Sequence, residues 1–481
     1  MAQSAGRRDC DGSRGQNHAG TTSNSLGWIG FGDPSALLTW FCRKRGVSCP
    51  RRRTQGCTEV AYTDRLEDVA DQLGYRDTSG YVHEARSEFG PRDFVWRDLK
   101  DKCQVDAAYF RGAVPLVAFV EAETPQEVST AHRRLWNFGR VPVLIVTTPQ
   151  EVAALSCITP PTTETSASSS LLRSARLNQP LQNILREFTR YNVESGRAAA
   201  AHREQFDRRL RVDYHLLENL RRLRASLIRS GLPPTYVEQL LGRSIFIRYL
   251  EDRGILSQEH LLELGAFQSF LQTLDAGPNA VAQLFEALSE HFNGDVFALS
   301  NVEPHLPPQV INELFQFFSG TNLRTGQQAL WPYDFGIIPP ELISSIYEQL
   351  LAETQRQDAA YYTPRHLVDL VLDELVSWEG NAAEPIILDP SCGSGIFLAE
   401  AFRRFVYRHT IAKGESSSFD SLSRLLTRTV YGIDKSSAAI GVSAFSLYLA
   451  LLEHVDPPTA WRDARLPAMP FSSAWLAGAG G

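Results

Sequence analysis

No apolar run in this chain approaches the ~18 residues of a membrane span. The polar N-terminus also lacks the apolar core of a secretory leader. Both absences point to a cytoplasmic protein with no membrane partner. Cysteine is scarce, with seven residues at 10, 42, 49, 57, 103, 157 and 392. The number is odd, no Cys-x-x-Cys pair occurs, and four of the seven fall before residue 58, which argues against a zinc or disulfide framework. Neither sign of charge dominates. The formal net charge of −7 gives no endorsement of nucleic-acid binding, yet acidic chains bind DNA through local basic surfaces, so it decides nothing. What the chain does have is length: 481 residues, 43% of them hydrophobic, suffice for several domains at ~100–200 residues each.

The most informative stretch is Ile386-Ile387-Leu388-Asp389-Pro390-Ser391-Cys392-Gly393-Ser394-Gly395-Ile396-Phe397-Leu398. Apolar residues run into Asp-Pro, then a small-residue turn, then an amphipathic helix. This is the strand, glycine turn and helix that open a nucleotide-binding α/β sheet. Glycine at 393 and 395 lets backbone N–H groups approach a ligand closely. A carboxylate at position 389 repels pyrophosphate but suits an ammonium or sulfonium centre, which points to S-adenosylmethionine rather than NAD or ATP. Upstream stands Ala360-Tyr361-Tyr362-Thr363-Pro364-Arg365, followed by apolar residues at helical spacing. Downstream, Thr429-Val430-Tyr431-Gly432-Ile433-Asp434 reads as a second strand ending in an acid placed to accept from ribose hydroxyls.

Together these segments resemble motifs X, I and II of adenine-N6 DNA methyltransferases, in the order used by type I and type IIG restriction-modification systems. The resemblance implies a Rossmann-like fold using S-adenosylmethionine, with Tyr362, Thr363 and Pro364 at the methionine end. It further implies Asp389, Pro390, Cys392, Gly393, Ser394 and Gly395 along the methionine and ribose, Asp434 on the ribose hydroxyls, and double-stranded DNA as substrate. The family's catalytic Asn/Asp/Ser-Pro-Pro-aromatic quartet, which holds a flipped adenine, is not matched. Asp456-Pro457-Pro458-Thr459 has an allowed first residue, but its Thr offers no stacking face and it directly follows the helix after Asp434. The expectation is a methyltransferase domain truncated after motif II, inactive alone, without catalytic residues of its own. A second polypeptide would supply the remainder and the target-reading region.

The fold expected is α/β plus α. Residues 1–58 read as a disordered tail whose basic runs 43–45 and 51–53 could also touch DNA. Residues 59–158 read as an α/β domain with helices over 63–73 and 126–138 and strands over 94–96, 107–110, 116–122 and 141–147. Asp106, Glu121 and Glu123 resemble the metal set of an Asp…Glu-x-Lys restriction nuclease, which would take Mg2+. Glu123 stands where that family has Lys, so an eroded or purely structural domain stays open. The run Arg134-Leu135-Trp136-Asn137-Phe138-Gly139-Arg140-Val141-Pro142 also resembles restriction-type methyltransferases and has no assignable chemistry beyond packing Trp136. Residues 159–170 read as a flexible linker, 171–334 as a helical connector and 335–481 as the methyltransferase part. Between Leu171 and Ser230, thirteen arginines stand against six acids. A seam of Phe206, Leu210, Leu217, Leu220 and Leu227 suggests a helix whose arginines meet phosphates or pair with acids. Two function classes remain: the adenine methyltransferase, and a DNA-binding or Mg2+-dependent nuclease subunit with a vestigial cofactor turn.

Overall fold

The computed structural model describes residues 62–83, 91–161, 169–265, 267–292, 306–320, 333–352, 363, 365–376, 378, 385–413, 418–463, 465–469 and 471–472. Residues 1–58 with their basic runs, the middle of the 159–170 stretch, Tyr362 and Pro364 lie outside them.

Helix α1 (Tyr62–Gln72) leads to β1 (Tyr81–Val82), α2 (Pro91–Asp101), β2 (Ala107–Arg111) and β3 (Val114–Glu121). Helix α3 (Pro125–Phe138) then connects β3 to β4 (Val143–Thr147), followed by β5 (Glu151–Ser156) and β6 (Leu171–Arg176). The six strands form one sheet in sequence order. β3 and β4 are parallel, as the α3 crossover requires, and the other pairs are antiparallel. Strand periodicity sorts the side chains onto two covered faces. Ala108, Phe110, Ala118, Val120, Leu144 and Val146 pack with α2 and α3. Ala107, Tyr109, Val117, Phe119, Val143 and Ile145 pack with α1 and with short helices between Leu181 and Ala201.

Three expectations change here. Phe94–Trp96 is helical, because Val95, Trp96 and Leu99 form a buried stripe at helical spacing behind Pro91. Residues 159–170 join neighbouring antiparallel strands, so they connect β5 to β6 rather than two domains. Leu171–Arg176 is a strand, with Leu172 and Ala175 buried and Arg173 and Arg176 exposed. The long helices start later, at α4 (Val212–Arg229), where Leu217, Leu220 and Leu227 are buried as expected. Phe206 instead packs on the six-stranded domain. Of the thirteen arginines, Arg173, Arg190, Arg209, Arg211, Arg222 and Arg224 pair with acids.

Helices α5 (Pro234–Asp252), α6 (Gln258–Glu263), α7 (Phe270–Ala276), α8 (Pro278–Phe292) and α9 (Pro308–Phe318) follow. They share one continuous core with the C-terminal part. That part runs through α10 (Pro340–Ala352), α11 (Arg365–Leu375), β7 (Ile387–Asp389), α12 (Ile396–Lys413), α13 (Phe419–Thr429), β8 (Val430–Ile433), α14 (Ser437–Glu453), α15 (Pro457–Asp463) and β9 (Phe471–Ser472). Phe246 of α5 meets Phe445 of α14 at 5.8 Å between ring centres, and the Tyr249 hydroxyl donates to the Leu449 carbonyl at 3.3 Å. The connector is therefore packed as part of the C-terminal core. β7, β8 and β9 form a three-stranded parallel sheet in that order. Among the described residues, β7 has no strand on its outer side.

Candidate cofactor site

The parallel pairing of β7 with β8 brings their C-terminal ends together, so Asp389 and Asp434 emerge at one edge of the sheet. The turn after β7 folds across that edge. Cys392 N–H donates to the Ile433 carbonyl at 3.0 Å, and Gly393 N–H donates to Asp434 Oδ2 at 3.0 Å. The other Asp434 oxygen accepts from Ser436 N–H at 2.9 Å, which fixes the start of α14. Asp389 Oδ1 accepts from Ser391 N–H at 3.0 Å. Burial raises the Asp389 pKa, the Ser391 hydrogen bond opposes that rise, and the Asp434 charge adds to it. The two carboxylates thus feel one another through the same turn.

Gly395 adopts a left-handed φ of +76°. A Cβ there would lie 3.0 Å from the Ser443 Oγ and 3.1 Å from its Cα, so backbone and space both select glycine. Ser443 and Ser446 of α14 hold the turn from behind. Ser443 Oγ donates to the Gly393 carbonyl at 2.7 Å, and Ser446 Oγ donates to the Ser394 carbonyl at 2.6 Å. Sequence reasoning missed both serines. Their signal is faint: two hydroxyls one turn apart in the middle of a largely apolar helix. The Cys392 thiol is buried beside Ser443, and burial pushes its pKa up to about 11, so it is a packing group rather than a nucleophile.

The predicted residues Asp389, Cys392, Gly393, Ser394, Gly395 and Asp434 are therefore gathered in one place, with Pro390 in the same turn. Thr363 is described and half-buried. It is linked indirectly, since Arg365 two residues on reaches Glu400 Oε2 of α12 at 3.1 Å. At the other candidate site, Asp106 Oδ2 accepts from Glu121 N–H at 2.8 Å, which brings those two acids together. Burial raises the pKa of each, with Asp106 and Glu123 adding to the rise at Glu121 against Arg65. Among the described residues, however, no three His, Cys, Asp or Glu side chains gather as metal ligands. The expected Asp106, Glu121 and Glu123 set is thus not assembled: Glu123 is exposed, with its N–H donating to Glu127.

Among the described residues no helix is long and apolar enough to cross a membrane. Residues 339–451 match the N-6 DNA Methylase family. The chain is 23% identical over 273 residues to the type II restriction enzyme and methyltransferase RM.Eco57I of Escherichia coli, covering 48% of this chain and 26% of that protein. A putative type II restriction enzyme and methyltransferase of Methanocaldococcus jannaschii is 22% identical over 298 residues, covering 45% and 25%. The methylase subunit of the E. coli type I enzyme EcoEI is 25% identical over 201 residues, covering 39% and 38%. This chain therefore spans about a quarter of the length of the first two relatives. The type IIG restriction endonuclease BpuSI aligns over 85% of this chain and 41% of its own at 13% identity, with a TM-score of 0.31, too low to establish a shared fold. The residues that build the turn, its two carboxylates and the helices behind them thus fall within the stretch that matches the N-6 DNA Methylase family.

Proposed function

We propose that the turn between β7 and α12 binds S-adenosylmethionine, as the cofactor half of a Rossmann-like, adenine-N6 DNA methyltransferase. One observation carries this reading: Asp434 and Asp389, from the tips of adjacent parallel strands, converge on a single glycine turn. The residues fit the cofactor. Asp434 is placed to accept from ribose hydroxyls, as acids at the second strand tip of such sheets do. The half-buried Asp389 puts negative charge where a sulfonium gains from it. Gly395 lets the turn close tightly against Ser443 of α14, which sets the shape of the turn. Bound there, S-adenosylmethionine would supply an electrophilic methyl group for the adenine amino nitrogen. The protein's part at this turn is to bind and orient.

These 481 residues contain no Asn-Pro-Pro-aromatic quartet. Polarising the amino group is accordingly assigned to a segment outside them, whether on the same polypeptide or a second one. The outer edge of β7 is a fitting place for that segment to pair, since Ile386 and Leu388 are 72% and 54% exposed there. The substrate proposed is double-stranded DNA.

Calorimetry with S-adenosylmethionine tests the reading. Binding should be detectable, and Asp434→Ala should weaken it at least tenfold, with Gly395→Val abolishing it. Equal affinity in the wild type and Asp434→Ala would remove the basis for the assignment. The alternative of a Mg2+-dependent nuclease rests on the adjacency of Asp106 and Glu121. Among the described residues Glu123 does not gather with Asp106 and Glu121 into a magnesium site, and no cleavage step is derived. DNA nicking lost in Asp106→Ala would favour that alternative.

A further inference from the structure

The three cofactor segments are each followed by a helix, namely α11, α12 and α14. Each helix places charge in one buried network. Arg365 of α11 bonds Glu400 of α12 and pairs with Glu341 of α10. Arg403 of α12 lies 2.8 Å from Glu341 and 2.6 Å from Glu453 at the end of α14. Within the C-terminal part these three acids, Glu341, Glu400 and Glu453, share the two guanidinium groups of Arg365 and Arg403. The six-stranded domain supplies two further cations. Lys102, just past α2, reaches Glu453 at 3.0 Å, and Arg140, just past α3, pairs with Glu341. Burial makes each partner dependent on the others, because removing one ion leaves an uncompensated charge.

The network adjoins the turn itself. A cavity of about 10 Å3 lies among Glu341, Arg403, Ser344, Ser394 and Ser446, directly behind the carbonyl that Ser446 holds. Arg140 ends the Arg134–Pro142 run, and every part of that run now has a contact. Trp136 donates to the Leu210 carbonyl at 3.0 Å and stacks on Tyr333. Asn137 Oδ1 accepts from Asp334 N–H at 3.1 Å. The Gly139 carbonyl accepts from Arg211 at 3.2 Å.

We propose that Arg140 and Lys102 are positioning residues through which the six-stranded domain holds the cofactor turn in its binding shape. This rests on the cofactor reading for its affinity readout but not for its structural one. The test uses the full chain and the variants Arg140→Met, Lys102→Met, Arg140→Lys and the double variant Arg140→Met with Glu341→Gln. Two quantities are read: calorimetric affinity for S-adenosylmethionine, and hydrogen exchange of the amides from Gly393 to Arg404 without ligand. Arg140→Met should weaken affinity about tenfold, within the usual range of coupling between sites, and speed exchange at the turn. Arg140→Lys should recover part of both by restoring the charge. The double variant, which also removes the acid that Arg140 faces, guards against simple misfolding and should still exchange faster than the wild type. Loss of thermal stability with unchanged exchange and affinity would overturn the proposal and leave these contacts merely structural. If the wild type binds no cofactor but exchange responds as described, the cofactor reading fails and the positioning role stands. If exchange does not respond, the positioning role fails whatever the affinity.

Discussion

Burial holds the Asp252 carboxyl at a pKa of about 7, with Arg248 opposing the rise and Asp334 adding to it. Its folded pKa lies above the unfolded value near 4, so its contribution is complete below about pH 4 and disappears as pH climbs through 7. Stability should therefore decline between about pH 4 and pH 7, by up to roughly 1.4 kcal/mol per unit from this group. Asp252→Asn keeps an acceptor for Phe335 N–H, which Asp252 Oδ2 receives at 3.0 Å. Urea unfolding across that range should show a flatter profile for the variant, and parallel profiles would remove Asp252 from the account. At this scale the sequence was partly legible. Asp389 and Asp434 could be found because each ends an apolar strand before a small-residue turn. Ser443 could not, because its role depends on which helix face meets the turn. Nor could the pairing of the arginines after Leu171 with acids such as Glu187 and Glu238, which is tertiary.

Helix α3 shows how much one element can specify. Thr124 caps its start by accepting from Glu127 N–H at 3.2 Å, and Gly139 ends it with φ +69°. A Cβ at 139 would stand 2.8 Å from Val212 Cγ1 of α4. Gly139→Ala should thus cost about 1–2 kcal/mol for the left-handed backbone, with crowding against α4 adding to it. Chemical denaturation reads the sum, and a loss under about 0.5 kcal/mol would mean that α4 moves aside. Elements with strong local signals, such as α1, α3 and β4, were legible. α2 was misread because Phe94-Val95-Trp96 looks like a strand until Leu99 supplies the helical repeat. β6 could not be read because its buried Leu172 and Ala175 are three residues apart, which breaks the two-residue alternation of a strand, and only pairing with β5 makes it one.

For the whole molecule, core composition rather than linker composition sets the divisions. The Pro, Thr and Ser stretch before residue 170 looks like a boundary, yet Phe188, Leu181 and Leu185 beyond it are buried against the sheet. A fragment of residues 60–158 should consequently fail to fold, lacking β6 and those side chains, whereas 60–211 should give a cooperative thermal transition. Equal cooperativity in both would restore the earlier boundary. The fusion of the helical connector with the C-terminal core was likewise hidden, since contacts such as Phe246 with Phe445 join residues far apart in sequence.

The order of strands in the six-stranded sheet also bears on synthesis. β5 emerges from the ribosome well before β6 and Phe188, which cover its flank and one face of the sheet. At roughly 5–20 residues per second, the nascent chain must hold that hydrophobic margin bare for a few seconds. This interval is when a ribosome-associated chaperone would have most to protect.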